Sequence, residues 1–346
     1  MRAYRLERSG AGIHGLVLTR ERVPSPGPGE VVVRVRATSL SYRERMVLRG
    51  DYVLPVTPGI VPLSDGAGEV IGLGPGANRF RVGDRVAANI FPFWHDGPLR
   101  LDIASQLGST LDGLLRDYAV LPEGALVRIP EHLTFVEAAT LPCAGVTAWN
   151  AVTGGRSLAP GDTLLTLGSG GVSLFAIAFA KQLGARVIAT TGDRKKEGPL
   201  RDLGADEVIN YRSESRWLDA VRKLTSGRGV DLVVDVAGQL NESLQTVAMG
   251  GEVAFVGFLA EESIDPVDVK TLFYSSATVR VVATGNRAQF EAMNSAIAQG
   301  VLRPVVAQTF SFDQAVEAFS YYEAEAPFGK VAITNDADID IDSDRP

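Results

Sequence analysis

Hydrophobic positions along the chain follow three successive patterns, and the first covers roughly residues 1–127. Short apolar runs are cut there by glycine and proline, and "VVVRVRAT" (31–38) alternates valine with arginine as a half-buried strand does. "GAGEVIGLGPG" (66–76) and "VGDRVAANI" (82–90) are further runs of this kind, separated by turn sequences. This zone predicts an all-β, barrel-like region.

The second pattern, from about residue 141 to 285, alternates apolar strands with amphipathic helices. Such alternation predicts a doubly wound parallel sheet with helices on its faces. Six strands complete a dinucleotide-binding fold of this type. The predicted strands cover residues 163–167, 186–190, 207–210, 231–236, 252–256 and 278–283.

The third zone, from residue 287, contains two predicted helices (287–300 and 312–325) and one strand (329–334). These elements are too few for a domain, so we expect the segment to complete the first one. The prediction is an α/β protein whose first domain is a β-barrel, formed by residues 1–147 and 287–346. Residues 148–286 form the second domain, a doubly wound six-stranded parallel sheet.

Composition and charge narrow the class of protein. The 346 residues are 45% hydrophobic and 22% charged, as in ordinary globular proteins. The net charge of −7 argues against nucleic acid or an anionic membrane as the main partner. No signal peptide or membrane-spanning stretch is recognisable, so we expect a cytoplasmic protein that acts on a small molecule.

Cysteine and histidine give no metal-binding pattern. Cys143 is the single cysteine, which leaves neither an internal disulfide nor a cysteine-rich zinc site. The three histidines, His14, His95 and His132, are scattered and lack the spacing of metal ligands. We therefore predict no metal site.

A glycine-rich turn follows the first strand of the predicted parallel sheet. "GSGGVS" (168–173) fits G-x-G-x-x-G/A with serine in the third place. The first glycine permits the tight turn, the second lets the backbone approach a pyrophosphate, and the third position must be small for helix–strand packing. Although such a turn can be purely structural, its position favours a dinucleotide site. The predicted contacts are Gly168, Gly170, Gly171 and Val172.

The end of the second strand indicates which dinucleotide would bind. An acid at this position accepts hydrogen bonds from the ribose of NAD and repels a 2′-phosphate, but Thr191 stands here. Tyr211, after the third strand, could cover the adenine or contact that phosphate. The cations that could bind the phosphate are Arg194, Lys195 and Lys196. The sequence favours NADPH over NADH, and a solvated helix start, which Asp193 would suit, is the alternative.

Several spaced motifs together resemble the medium-chain dehydrogenase/reductase superfamily, on the zinc-free side that includes the quinone oxidoreductases. They are "PGPGEVVVRVRATSLSYRE", "PLSDGAGEVIGLGPGANRFRVGDRV", "LPCAGVTAWNAV", the glycine turn, "LGADEVINYR", "GRGVDLVVDVAG" and "FGKVAI". The resemblance covers nearly the whole chain. It implies a GroES-like barrel completed by the C-terminal segment and an inserted Rossmann domain.

The resemblance also identifies the positions that hold the catalytic zinc in zinc-dependent relatives. The three ligand positions fall on Ser41, Ser64 and Cys143. One thiolate and two hydroxyls do not form a zinc site, so we expect zinc-independent chemistry.

Without a metal, the expected reaction is hydride transfer from NADPH to an activated alkene or a quinone. Tyr42 and Tyr52 are candidate proton donors, and Ser41 is a candidate polar contact to the substrate. The resemblance places further cofactor contacts at Thr147, Gly257, Phe258, Leu259 and Thr284.

The sequence leaves two alternative functions open and predicts a homodimer. The chain could be a zinc-free alcohol dehydrogenase or carbonyl reductase, or a non-enzymatic NADPH-binding protein. We expect a homodimer joined edge to edge through strand six, "ATVRVVATG". The superfamily resemblance implies such a dimer, and an unpaired edge of alternating valines would otherwise be exposed.

Overall fold

The computed structural model describes residues 1–257 and 266–335, and the chain divides into two compact units. The first unit contains Met1–Cys143 and the segment from Asn286 onward. The second unit is the continuous segment Ala144–Gly285. Thr147, which the sequence assigned to the first domain, therefore belongs to the second unit.

The N-terminal segment of the first unit is mostly β-structure. Its strands are β1 (Arg2–Leu6), β2 (Leu16–Arg20), β3 (Glu30–Ser39), β4 (Asp65–Leu73), β5 (Arg85–Ala88), β6 (Tyr118–Pro122) and β7 (Leu126–Arg128). The valine-rich prediction corresponds to β3, whose valines are buried while Arg34 and Arg36 are half-buried. Two short helices of this segment were not predicted from the sequence, α1 (Tyr42–Arg49) and α2 (Phe135–Ala138). The first of them ends at Gly50, whose φ of 77° a glycine adopts without strain.

The second unit contains the predicted alternation of strands and helices. The elements are α3 (Val146–Thr153), β8 (Thr163–Leu167), α4 (Gly171–Gln182), β9 (Arg186–Thr191), α5 (Glu197–Asp202), β10 (Glu207–Asn210), α6 (Trp217–Leu224), β11 (Val230–Asp235), α7 (Leu240–Thr246), β12 (Val247–Phe255), α8 (Val269–Ser275) and β13 (Thr278–Val281). The strand order is β10-β9-β8-β11-β12-β13, and all neighbours are parallel. This is the order of a Rossmann fold, and it confirms the predicted class.

The core of this sheet explains why its strands could be predicted from apolar runs. Leu165, Ile188, Val233 and Val253 come from four neighbouring strands and are fully buried in one cluster. The one clear deviation is β12, which begins at Val247 rather than at residue 252. Met249 and Gly250 are exposed and interrupt the apolar run of this strand. The pairing of β12 with β11 is irregular in register over this stretch.

The C-terminal segment returns to the first unit. Its elements are α9 (Arg287–Gly300), β14 (Val306–Ser311), α10 (Ala315–Glu325) and β15 (Lys330–Thr334). Strand β15 pairs antiparallel with β3 and parallel with β14, which gives the sheet order β14-β15-β3-β4-β5-β7 with β6 also on β3. The C-terminal segment thus completes the β-sheet of the first unit, as the sequence predicted. No helix within residues 1–257 or 266–335 has the length and apolarity needed to cross a bilayer.

Candidate active site and cofactor-binding residues

The glycine turn of the second unit connects β8 to α4. Gly168 has a φ of 91°, a conformation that side chains other than glycine's rarely allow. Its N–H donates to Thr190 Oγ1 over 3.0 Å, which attaches the turn to β9. The buried Ser173 Oγ donates to the Leu167 carbonyl over 3.4 Å, so the third position of the motif serves helix–strand packing.

Gly170 has a different role because its backbone would accept any residue. Its φ of −84° and ψ of 178° are extended, and it precedes the first residue of α4 as the N-cap. A Cβ built on Gly170 would meet no protein atom within 4 Å. The missing side chain therefore leaves open space in front of the N-terminus of a twelve-residue helix, where backbone N–H groups favour an anion. Gly171 and Val172 are the first two residues of that helix, and the arrangement fits a pyrophosphate.

The loop after β9 contains the residues predicted to choose between the two cofactors. Thr191 is 1% exposed, and its Oγ1 accepts the Asp193 N–H over 3.1 Å. The Asp193 carboxylate accepts the Lys195 N–H over 2.9 Å and caps the 3-10 turn Arg194–Lys196. Asp193 thus has a local structural role, and the strand end itself has no acid.

The cations of this turn differ in their surroundings. The Arg194 and Lys195 side chains make no hydrogen bond or ion pair within the described part of the chain. Burial lowers the pKa of Lys196, an effect that Asp193 opposes. Tyr211 lies next to Gly192, where a Cβ would come within 2.5 Å of the phenol oxygen. The predicted set Thr191, Arg194, Lys195, Lys196 and Tyr211 is therefore brought together at one edge of the sheet.

The remaining predicted cofactor residues lie in different surroundings. Thr147 is buried in α3. Thr284 is also buried, and its Oγ1 has no hydrogen-bond partner among the described residues. Gly257 is required by packing, since a Cβ there would lie 2.1 Å from the Val236 carbonyl oxygen. Phe258 and Leu259 lie outside the described residues.

In the first unit, Ser41 precedes α1 but does not cap it. Its backbone is extended as at an N-cap, yet its side chain makes no capping hydrogen bond. The hydroxyl instead donates to Asp65 Oδ2 over 3.0 Å. On the same carboxylate, Oδ1 accepts from Ser64 Oγ over 3.4 Å, and Ser64 also donates to Glu44 Oε1 over 3.1 Å. These four side chains form a buried polar cluster.

Lys330, which the sequence analysis did not identify, completes this cluster. Its ammonium lies on β15 and donates to Ser41 Oγ over 2.6 Å, to Asp65 Oδ2 over 3.3 Å and to the Leu40 carbonyl. The side chain is 5% exposed. Burial raises the pKa of Asp65, and Lys330 and Ser41 oppose that shift. A lysine at the start of an otherwise apolar strand was the signal that could have identified it.

The two tyrosines occupy different environments. Tyr52 OH donates to Gln106 Oε1 over 2.8 Å and accepts from Arg43 Nε over 3.3 Å. Arg43 in turn pairs with Glu44 over 2.7 Å, so Tyr52 joins the Ser41 cluster through this pair. The Tyr42 ring lies under the Arg45 guanidinium, whose carbon is 5.1 Å from the ring centre.

The residues at the zinc-ligand positions do not fit a zinc ion. Ser41 accepts a hydrogen bond from an ammonium, whose charge would repel a second cation. Cys143 is the only one of the three positions with a thiol, and one thiolate with two hydroxyls is not a zinc-ligand set. Within the part of the chain that the structure describes, no group of three or more histidine, cysteine, aspartate or glutamate side chains is arranged to hold a metal.

Comparison with known proteins gives consistent matches in both units. Residues 27–131 match the family model "Alcohol dehydrogenase GroES-like domain", and residues 171–299 match "Zinc-binding dehydrogenase". A zinc-type alcohol dehydrogenase-like protein of Schizosaccharomyces pombe is 39% identical over 317 residues, covering 89% of this chain and 92% of that protein. The human quinone oxidoreductase is 28% identical over 308 residues, covering 86% of each chain. The crystal structure of an NAD-dependent alcohol dehydrogenase superposes with a TM-score of 0.87 at 32% identity, over 96% of this chain and 99% of the other.

Proposed function

Because this chain belongs to the medium-chain dehydrogenase/reductase superfamily and is one of its oxidoreductases, we propose that it transfers hydride from NADPH to an activated alkene or a quinone, without zinc. The observation that carries this proposal is the Lys330 ammonium at Ser41, where zinc-dependent relatives have a metal ligand. An acceptor that is already electron-poor needs less polarisation than a simple ketone, so it suits a site without a Lewis acid.

The cofactor assignment rests on the second unit. When bound, the nicotinamide supplies the hydride. The open space at Gly170 and the helix that starts at Gly171 would hold the pyrophosphate. Thr191 leaves the strand end uncharged, and Arg194 and Lys195 have no intramolecular partner within the described residues that would compete for their charge. These features favour a 2′-phosphate and hence NADPH.

A second candidate is a zinc-free carbonyl reductase. A hydroxyl that is hydrogen-bonded to an ammonium can polarise a carbonyl oxygen, and Ser41 has this arrangement. The two candidates differ in the acceptor, since an enone is reduced at carbon while an aldehyde or ketone is reduced at the carbonyl.

An acceptor screen at fixed NADPH tests the proposal. Cyclic enones, benzoquinones, simple aldehydes and simple ketones would be compared by the loss of nicotinamide absorbance. We expect turnover of enones or quinones to exceed that of simple carbonyls at least tenfold, and a metal chelator to leave the rate unchanged. Faster reduction of simple ketones would favour the second candidate, and inactivation by the chelator together with stoichiometric zinc would contradict the zinc-free assignment.

We also propose that the protein is a homodimer joined through β13. This strand ends the sheet order, and around it lies an exposed apolar group: Val269, Phe273, Tyr274 and Val281, each at least 72% exposed. An apolar edge strand pairs readily with another copy.

Light scattering after gel filtration at micromolar concentration tests the dimer. We expect about twice the chain mass of 36.8 kDa for the parent. Val281→Lys should give the monomer because it places a charge on the paired edge. The control Val301→Lys changes a valine that is 63% exposed in the first unit, and it should remain dimeric. A monomeric parent would overturn the proposal.

A further inference from the structure

The Lys330 side chain is a buried cation whose hydrogen bonds define its direction. It reaches three acceptors of different kinds: a backbone carbonyl, the Ser41 hydroxyl and the Asp65 carboxylate. An ammonium has three N–H donors, and all three are used here. A lysine is rarely buried without a charged partner. Here the partner is Asp65, whose side chain is 0% exposed.

Ser41 is held by this cation rather than by its helix. A serine at an N-cap normally accepts a hydrogen bond from a backbone N–H of the first helical turn. The Ser41 side chain makes no such bond and is hydrogen-bonded to Lys330 and Asp65 instead. Its oxygen accepts from the ammonium, while its proton is shared with a carboxylate that also has Ser39 as a donor. Asp65 thus keeps three other donors, Ser39, Ser64 and Lys330, when the Ser41 proton is given to another acceptor.

From this geometry we infer that Ser41 is the hydrogen-bond and proton donor to the substrate oxygen, and that Lys330 is the residue that positions Ser41 and stabilises its oxygen. The inference rests on the proposed function, because it takes the reduced acceptor to be an enone or quinone oxygen. Lys330 reaches the substrate only through Ser41, so it is a positioning residue and Ser41 is the catalytic one.

A bound NADPH would supply the hydride, which would give the substrate a new C–H bond at its electron-poor carbon and an enolate oxygen. The Ser41 O–H bond breaks as its proton passes to that oxygen, and a Lys330 N–H proton passes to the Ser41 oxygen. The resulting neutral amine takes a proton from water, and the buffer neutralises the hydroxide that is left, which restores the ammonium beside Asp65. The ammonium therefore compensates charge where zinc-dependent relatives use a metal.

The test is a double-mutant cycle on the intact protein with NADPH and the best enone or quinone from the acceptor screen. Ser41→Ala and Lys330→Met should each lower kcat about 100-fold with KM changed less than threefold, as expected for a donor used in the transition state. The kcat of the double variant should be no lower than that of the less active single variant, because both changes remove the same proton donor. Lys330→Arg should recover kcat to within about tenfold of the parent.

Controls separate this role from a structural one. Lys181→Met removes a comparable lysine–aspartate pair, 2.9 Å from Asp206 on the surface, and should leave kcat within twofold. Circular dichroism and urea unfolding should be parent-like for all variants, which shows that the mutated first unit is folded, and NADPH titration should give parent-like affinity. If Lys330→Met does not fold, Ser41→Ala and Lys330→Arg still decide the question.

A kcat of Ser41→Ala within threefold of the parent, or multiplicative losses in the double variant, would overturn the inference. A parent that reduces no enone or quinone contradicts the proposed function instead.

Discussion

Replacing Gly170 by aspartate is expected to lower the affinity for NADPH and NADH at least 100-fold while the fold remains as stable as before. The φ and ψ of Gly170 suit any residue, and a Cβ there meets no protein atom. Aspartate is also a favourable N-cap, so the unfolding free energy should change by less than about 1 kcal/mol. The carboxylate would occupy the space proposed for the pyrophosphate, where like charges cost several kcal/mol. A 100-fold loss corresponds to roughly 3 kcal/mol.

Isothermal titration with each cofactor, together with urea unfolding, measures both quantities. Gly198→Asp is the matched control, because Gly198 also lacks any atom within 4 Å of a built Cβ, and it lies in α5. Its affinity for NADH should change less than twofold. Parent-like binding of both cofactors by Gly170→Asp would show that the turn is only a structural connection.

Neutralising the three cations after β9 is expected to weaken NADPH binding about 5- to 150-fold and to leave NADH nearly unchanged. The variant is Arg194→Gln, Lys195→Gln and Lys196→Met. Each well-formed charge-assisted bond contributes roughly 1.5–3 kcal/mol, but exposure of the loop reduces the gain to about 1–3 kcal/mol in total. The difference between parent and variant should shrink as salt is added, because part of it is Coulombic.

Two companion variants make this test specific. Thr191→Asp should move the preference toward NADH, because a carboxylate at the strand end repels a 2′-phosphate and accepts from the ribose hydroxyls. Lys223→Met removes an exposed cation from α6 and should change neither affinity. If the triple variant binds both cofactors as the parent does, the cations are a solvated helix start and the NADPH assignment fails.

Local signals explain most of what the sequence predicted. Strands β8 and β10 begin and end where predicted, because each is an apolar run bounded by polar or turn residues. The glycine turn could be recognised because its requirements are local: a positive φ at Gly168 and open space at Gly170. The loop after β9 was predictable for the same reason, since Thr191 and the cations that follow it are consecutive.

The polar cluster of the first unit could not be predicted in this way. Ser41 and Lys330 are 289 residues apart, and only the pairing of β15 with β3 brings them together. The hydroxyl at Ser41 was identified as a candidate, but nothing near it in the sequence shows that a cation lies behind it. Helix α1 was also missed, because its eight residues include only Met46, Val47 and Leu48 as aliphatic positions.

The pairing of β15 with β3 also sets an order on synthesis at the ribosome. The second unit is one continuous segment, so all of its strands are available once residue 285 has emerged. The sheet of the first unit cannot be completed until residue 334 has emerged, because residues 37–39 of β3 pair with residues 332–334. Until then this end of β3 has an unpaired edge, and Asp65 lacks the ammonium of Lys330 as a partner. A nascent chain therefore completes its inserted unit before the unit that surrounds it in sequence.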